Sequence, residues 1–346
     1  MRVFVTGHKG YIGVHLVDLL RQAGHDVTGC DLDLFEGCEW EPFAEPNKEL
    51  RKDVRQLTAQ DLDGHDCIMH LAAISNDPMG DLDPSLTLSV NRDGSVHLAR
   101  LTKQVGADRF LFSGSCAVYG KGDKLDLDED DPLAPLTVYA RSKIETEAAV
   151  SKLADDAFTP VFLRNATAYG DSPMLRVDLV VNNLLASALA YGEIRIQSDG
   201  SPWRPLTHCR DIARAFVEFM TAPRAAVHNK AVNIGANNEN YQVRDVADQV
   251  ARLIPDAKIV YTGEVGADPR NYRVKFDRLS EVLPGFRLAY TLERGMEELH
   301  TNMVKHGFSA ADFEGDRFVR LRTLQKRLDR IEAAGRDLVS AGHEKG

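Results

Sequence analysis

The stretch Val3–Leu20, VFVTGHKGYIGVHLVDLL, leaves few choices of fold. An apolar strand (Val3, Phe4, Val5) runs into three glycines within seven residues, Gly7, Gly10 and Gly13. An apolar stretch at helical spacing follows. Glycine supplies backbone freedom and leaves no side chain to block a ligand. Gly7 permits the tight turn out of the strand. Gly10 lets the main chain approach a pyrophosphate, and Gly13 lets the helix sit close on the sheet. The helix N-terminus then directs free N–H groups at phosphates. The spacing is GxxGxxG, and its context is that of a dinucleotide cradle. A second strand, "HDVTGCD", ends on Asp31. A carboxylate there can hold the adenosine ribose hydroxyls and would repel a 2′-phosphate, which favours NAD over NADP. Gly7, Gly10, Tyr11, Ile12, Gly13 and Asp31 are the expected cofactor contacts.

The rest of the first half repeats this strand-helix rhythm. Helices are expected over Ile12–Ala23, Thr87–Val105 and Val138–Leu153. Strands are expected in "DCIMHLAA" (Asp66–Ala73), "RFLFSGS" (Arg109–Ser115) and "TPVFLRNA". Repeated β-α order implies an α/β fold with a parallel, doubly wound sheet of the Rossmann type. After Ala168 the rhythm loosens. Helices are expected over Asp178–Ala190, Asp211–Met220 and Val243–Leu253, with short strands at "IRIQ" and "KIVYT". This reads as a smaller, irregular lobe packed on the sheet. The expected division gives residues 1–168 to the nucleotide-binding domain, with 203–235 returning to it. Residues 169–202 and 236–314 form the second lobe, and 315–346 a tail. In that tail Phe318, Leu321, Leu324, Leu328 and Ile331 mark an amphipathic helix. Its apolar face docks on its own chain or on another copy.

Composition narrows the function. Lysine and arginine number 42 against 52 acidic residues, a net charge of 42 − 52 = −10, with no long basic block. That argues against non-specific nucleic-acid binding but leaves room for a locally basic pocket. The five cysteines, Cys30, Cys38, Cys67, Cys116 and Cys209, include no CxxC pair. Buried free thiols in a reducing cytoplasm are expected, with no metal site. No stretch approaches 18 apolar residues, and no signal-peptide core is seen at the N-terminus, so no membrane span is expected.

"YARSK" makes the reading specific. Tyr139 and Lys143 share one face of an expected helix. "SGSCAVYG" stands between them and the glycine motif. Taken together, these motifs resemble the extended short-chain dehydrogenase/reductase family, within its nucleotide-sugar epimerase/dehydratase group (UDP-glucose 4-epimerase-like), over roughly Met1 to Phe286. The resemblance implies catalysis by Ser115, Tyr139 and Lys143. A phenol with a pKa of about 10 is a poor base at neutral pH. A lysine ammonium and a cationic nicotinamide beside it are expected to lower it. Tyr139 would take the proton of a sugar hydroxyl that Ser115 also holds, while the carbon's hydride passes to NAD. Lys143 would hold the nicotinamide ribose. Asp53 and Val54 resemble the pair that contacts adenine. Leu71, Ala72 and Ala73 in "HLAA" line the cofactor. Asn91 in "NRDG" either contacts the cofactor or serves as a plain helix or core residue.

The second lobe resembles a binding surface for the substrate, a nucleotide-diphosphate sugar. Asn183 in "NNLL" is expected at the diphosphate, and Arg204 in "DGSPWRPLTHCRDIA" would pair with it through its guanidinium fork. His208 and Asp211 buttress the fold. In "DPRNYRV", Arg270 is a second clamp, with Arg273 as the alternative. Cys116 is expected to be a packing residue. Two departures matter. Dehydratase relatives carry an Asp-Glu pair after the catalytic hydroxyl and decarboxylase relatives keep the glutamate; this chain has Ser115-Cys116-Ala117. That disfavours 4,6-dehydration and suits epimerisation at C4. Thr167 stands where galactose-type epimerases often carry asparagine, so the sugar is open. The alternatives are a nucleotide-sugar dehydrogenase or ketoreductase and, more remotely, a non-catalytic NAD-binding protein. The resemblance also implies a homodimer paired through the helices at Thr87–Val105 and Val138–Leu153.

Overall fold

The computed structural model describes residues 1–75, 77–120, 126–263 and 270–333. Its strands, in chain order, are β1 (Arg2–Thr6), β2 (Asp26–Asp31), β3 (Lys48–Arg51), β4 (Cys67–His70), β5 (Arg109–Ser115), β6 (Thr159–Asn165), β7 (Thr167–Tyr169), β8 (Glu193–Ile196), β9 (Trp203–His208), β10 (Lys230–Ile234), β11 (Asn240–Gln242) and β12 (Lys258–Tyr261). Seven of them form one parallel sheet in the order β10-β6-β5-β4-β1-β2-β3. This is a Rossmann-type doubly wound sheet. The order reverses between β1 and β4, and ligands of such sheets bind in the crevice beyond the strand ends there.

The sheet is apolar on both faces because helices cover both. Val3 and Val5 pack under the helices Gly13–Gln22 and Cys209–Thr221, against Leu16, Leu20, Ile212 and Phe216. Phe4 points the other way, into a layer with Ile68, Leu98, Phe110 and Phe112. The smaller lobe has its own core, which includes Val181, Leu184, Leu185, Ile194, Leu206 and Val246.

Several expectations are redrawn. The segment 203–235 does not return to the large sheet as one piece. β9 stays in a three-stranded sheet between β7 and β11, while Cys209–Thr221 and β10 join the large one. β4 stops at His70, and Leu71–Ala73 turn away as loop. The expected helix over Thr87–Val105 is three pieces: Pro84–Leu88, a π-helical turn Ser89–Gly94, and Ser95–Gln104. The widened turn serves Asn91, whose carbonyl accepts from Ser95 and from Thr146 (3.1 Å). Of the two occupants open to the tail's apolar face, its own chain is the one observed. Phe318 is buried in the small-lobe core and Leu324 in the sheet-side core. Residues 334–346 of the tail lie outside the described residues. Among the described residues no helix is long and apolar enough to cross a membrane.

The glycine turn sets a sharp test. A Cβ on Gly13 would lie 2.1 Å from the Gly7 carbonyl oxygen, whereas one on Gly285 would meet nothing within 4 Å. Gly13→Ala is therefore expected to cost about 3 kcal/mol or more, a fall of roughly 5 °C in Tm. Gly285→Ala should stay within about 0.5 kcal/mol of wild type. Thermal unfolding of the two variants checks the contrast.

Candidate active site

A cavity of about 1010 Å³ opens at the reversal point of the sheet and runs into the small lobe. The glycine turn forms its floor. Gly7 has φ +72°, and a Cβ there would lie 2.7 Å from the Ala72 backbone nitrogen. Gly7 N–H donates to Cys30 O (2.8 Å) and Gly10 N–H to Gly7 O (3.0 Å), which closes the turn. The role expected of Gly13 changes. The atoms it must avoid are the carbonyls of Gly7 and His8 within the turn itself, not the sheet. The helix Gly13–Gln22 has no side-chain cap at Ile12. Its first N–H groups therefore present a positive end in the turn that lines the cavity. These features fit the diphosphate of a dinucleotide.

At the end of β2, Asp31 accepts from the backbone N–H groups of Lys9 (3.2 Å) and Asp33 (3.1 Å). Burial raises its pKa, and the nearby His8 opposes the rise. Lys9 is held by Glu49 (2.5 Å) and Asp33 (3.1 Å), so this rim is dominated by carboxylates and suits free ribose hydroxyls. Asp53 is fully buried, but its carboxylate is taken up by Arg55 (2.7 Å). Val54, Leu71, Ala72 and Ala73 line the cavity beside it. Asn91 is absent from that lining. It is 1% exposed and binds both the N–H and the carbonyl of Ile74 (2.8 and 3.0 Å), with Ser142 at 3.3 Å. It braces the wall from behind, which favours the structural alternative.

Ser115, Tyr139 and Lys143 meet at the cavity. Ser115 ends β5, and its hydroxyl accepts from Ala117 N–H (3.1 Å) and favours the ionised form of the Tyr139 phenol. The helix Val138–Ser151 is capped by Thr137, which accepts from Ala140 N–H (3.1 Å) and donates to Asp77 (2.5 Å). One turn on, Lys143 Nζ lies 5.6 Å from the Tyr139 ring centre and donates to Ser113 O (2.8 Å). Burial lowers the Lys143 pKa to about 8, against the pull of Glu147. Burial pushes Tyr139 up to about 12. Asp77 adds to the rise, while Ser115, Arg176 and Arg270 oppose it. Lys143 is not among the strongest influences on the phenol, and its ammonium donates to a backbone carbonyl.

The small lobe brings Thr167, Asn183, Arg204 and Arg270 to the same cavity. Asn183 donates to Val177 O (3.0 Å). Arg204 donates to the Trp203 and Arg270 carbonyls (2.8 and 2.5 Å), and Arg270 pairs with Asp77 (2.6 Å). Arg273 instead stacks on Trp203 (4.9 Å) and pairs with Asp126 (2.9 Å), away from the cavity lining. His208 stacks on Tyr290 (3.8 Å), and Asp211 accepts from Ala289 and Tyr290 backbone N–H groups (2.9 Å each at its Oδ2); both are buttresses. Cys116 is buried against Arg164 O (3.2 Å), a packing residue with its thiol pKa pushed up. The sequence reading missed Asp77 and Arg176. Arg176 is buried, doubly bonded to Asp178 (2.9 and 2.8 Å), and one of the cations acting on Tyr139. Neither sits in a motif; only the fold brings them to the phenol.

With this geometry in hand, known proteins can be compared. The sequence profile described as "NAD dependent epimerase/dehydratase family" matches residues 3–235. UDP-glucuronic acid decarboxylase 1 of Danio rerio is 26% identical over 310 residues, spanning 86% of this chain and 71% of that protein. UDP-glucose 4-epimerase of Mycolicibacterium smegmatis is 29% identical over 310 residues, spanning 86% of this chain and 96% of that one. Among solved structures, an NAD dependent NDP-hexosamine 5,6-dehydratase of tunicamycin biosynthesis superposes with a TM-score of 0.79 at 26% identity, over 88% of this chain and 98% of that one.

Asp77 raises the Tyr139 pKa, so Asp77→Asn should lower it by about one pH unit. Tyrosinate absorbance titration checks this, with Tyr139→Phe in each background isolating the one phenol. An unchanged or higher pKa in Asp77→Asn would remove Asp77 from the site's electrostatics.

Proposed function

We propose that this chain, which belongs to the NAD dependent epimerase/dehydratase family, interconverts the C4 epimers of a nucleotide-diphosphate sugar. NAD, the family's cofactor, supplies a hydride acceptor that returns the hydride later. The chain's own groups do the rest. Ser115 holds the C4 hydroxyl and Tyr139, as phenolate, removes its proton while the C4 hydride leaves. The sugar becomes a 4-ketone. Arg204 and Arg270 grip the diphosphate and let the keto ring turn. Tyr139 then gives its proton back to the C4 oxygen as the hydride returns to the other face. Proton and hydride are both restored, so there is no net redox change.

The observation that carries this reading is the residue after the catalytic pair of positions. Ala117 lines the cavity beside Ser115 and Tyr139. A methyl group cannot act as acid or base, so elimination or decarboxylation after the shared oxidation lacks a helper there. A rival reading keeps the oxidation and releases the product, as a nucleotide-sugar dehydrogenase or ketoreductase does. A homodimer through the helices Ser95–Gln104 and Val138–Ser151, in the cytoplasm, belongs to the same proposal.

Incubation with UDP-glucose, UDP-glucuronic acid and UDP-N-acetylglucosamine, followed by chromatography with mass detection, separates the readings. Epimerisation gives a new peak of unchanged mass. Loss of CO2 or water, or NADH in proportion to product, overturns it. In the same assay Tyr139→Phe should keep NAD and lose at least about 100-fold in rate, as a general base requires. Near-normal turnover would remove Tyr139 from the chemistry.

A further inference from the structure

The cavity has a wall that neither the glycine turn nor the family match at 3–235 supplies. Val319, Arg320 and Leu321, at the start of the helix Arg320–Ala333, line it. This segment is anchored on both halves of the protein. Phe318 packs in the small-lobe core, with its ring 5.6 Å from Trp40, and its carbonyl accepts from Val177 N–H (2.9 Å). Leu324 packs in the sheet-side core. Arg317 and Arg327 donate to the carbonyls of Glu39 and Glu36 in the loop between β2 and β3. The same loop supplies Leu34, Phe35 and Phe43 to the cavity.

Arg320 is the unusual member. It is 3% exposed, and its guanidinium donates to the carbonyls of Arg317 (3.1 Å), Met174 (3.0 Å) and Leu175 (3.3 Å). It lies 4.8 Å from the Phe35 ring centre, with Cys38 acting on it electrostatically. The hydrogen-bond acceptors are all backbone carbonyls. Arg176, Arg195 and Arg270 of the same cavity each hold a carboxylate: Asp178 (2.8 Å), Glu193 (2.9 Å) and Asp77 (2.6 Å). Among the described residues no carboxylate pairs with Arg320. Asp178 attracts it at longer range but is committed to Arg176. A buried guanidinium with no carboxylate of its own is costly, and an anionic ligand relieves that cost.

The neighbours of Arg320 say which anion. Met174, whose carbonyl it holds, packs on Val14 in the first turn of the helix Gly13–Gln22, the helix whose N-terminus has no side-chain cap. Phe35 lies four residues beyond Asp31, on the ribose-reading rim. Both contacts belong to the dinucleotide end of the cavity. We propose that Arg320 is a dinucleotide-binding residue that engages the cofactor's diphosphate, and that the C-terminal segment Arg317–Leu324 is the outer wall of the cofactor site.

The proposal rests on the cofactor being NAD, which binding to the wild-type full chain, stripped of nucleotide, establishes separately. Equilibrium binding of NAD, ADP-ribose, adenosine and UDP is then measured for Arg320→Met, with the melting temperature of the nucleotide-free protein. Loss of a buried charged hydrogen bond predicts that NAD and ADP-ribose weaken about ten- to a hundredfold. Adenosine and UDP should stay within about twofold of wild type, while the carbonyls that lose their donor lower Tm by a few degrees whichever role holds. Weakened UDP with intact NAD would assign Arg320 to the other diphosphate and overturn the proposal. Equal losses for all four ligands would make it a structural strut, and no loss at all would also overturn it. Should Arg320→Met fail to fold, Arg320→Lys decides. It should keep the salt dependence of NAD binding that Arg320→Gln loses; identical salt dependence in the two variants counts against the proposal.

Discussion

The close approach of Gly7 and Gly13 is the contact on which the rest depends. A Cβ on Gly13 would lie 2.1 Å from Gly7 O and one on Gly7 2.7 Å from Ala72 N, so glycine at both lets the turn close and pack against the loop after β4. That closure brings the first turn of one helix against the end of β1, beside β4, where the sheet order reverses. Three consequences follow from the one packing fact. The helix leaves its first N–H groups uncapped at the cavity floor. The loop after β4 is drawn in as the next wall. The carboxylate at the end of β2 comes to the far rim. A cofactor site of this size is the shape the sheet takes when its first crossover is made that tight.

Burial then sets the chemistry of the reacting groups. The same desolvation drives Lys143 down to about 8 and Tyr139 up to about 12. Both shifts favour the neutral form. The protein alone therefore builds a base that is held protonated, next to an amine whose charge is weakened. Ser115, Arg176 and Arg270 pull the phenol back, and Asp77 pushes it further. A cationic nicotinamide ring bound there would add the missing positive charge. Coupling the base to the oxidised cofactor in this way would arm the phenol only when a hydride acceptor is present.

The legible part of the site was the part written in contiguous residues. The glycine turn, Asp31, Ser115 and the Tyr139–Lys143 pair each occupy a short stretch whose local structure fixes their relation. The expected helix at Thr87–Val105 failed in its middle because a π-helical turn needs a long-range reason, the bond between Asn91 and the backbone of Ile74. β3, of sequence KELR, was missed because an exposed edge strand carries no apolar alternation. Asp77, Arg176 and Arg320 were missed for another reason. Each stands outside any motif, and only the fold brings it together with the distant segments that line the same cavity.

The paired arginines explain how a chain of net charge −10 can offer a grip for a dianion. Arg176 and Arg270 are each held by an acid within the cavity wall, so their guanidinium groups are placed before any ligand arrives. Holding them in place lowers the ordering cost of binding, but it also divides their charge. A diphosphate arriving there shares a cation with a carboxylate and gains less than it would from a free one. Arg204 donates to the carbonyl of Arg270, and Asp77 links Arg270 to Thr137, the cap of the helix Val138–Ser151. A ligand that draws Arg270 from Asp77 would therefore free the carboxylate that disfavours the Tyr139 phenolate and move the clamp that opposes it. Both effects raise the Tyr139 pKa and disfavour the phenolate, so a diphosphate held there and the charge state of the phenol would be electrostatically coupled through a single ion pair.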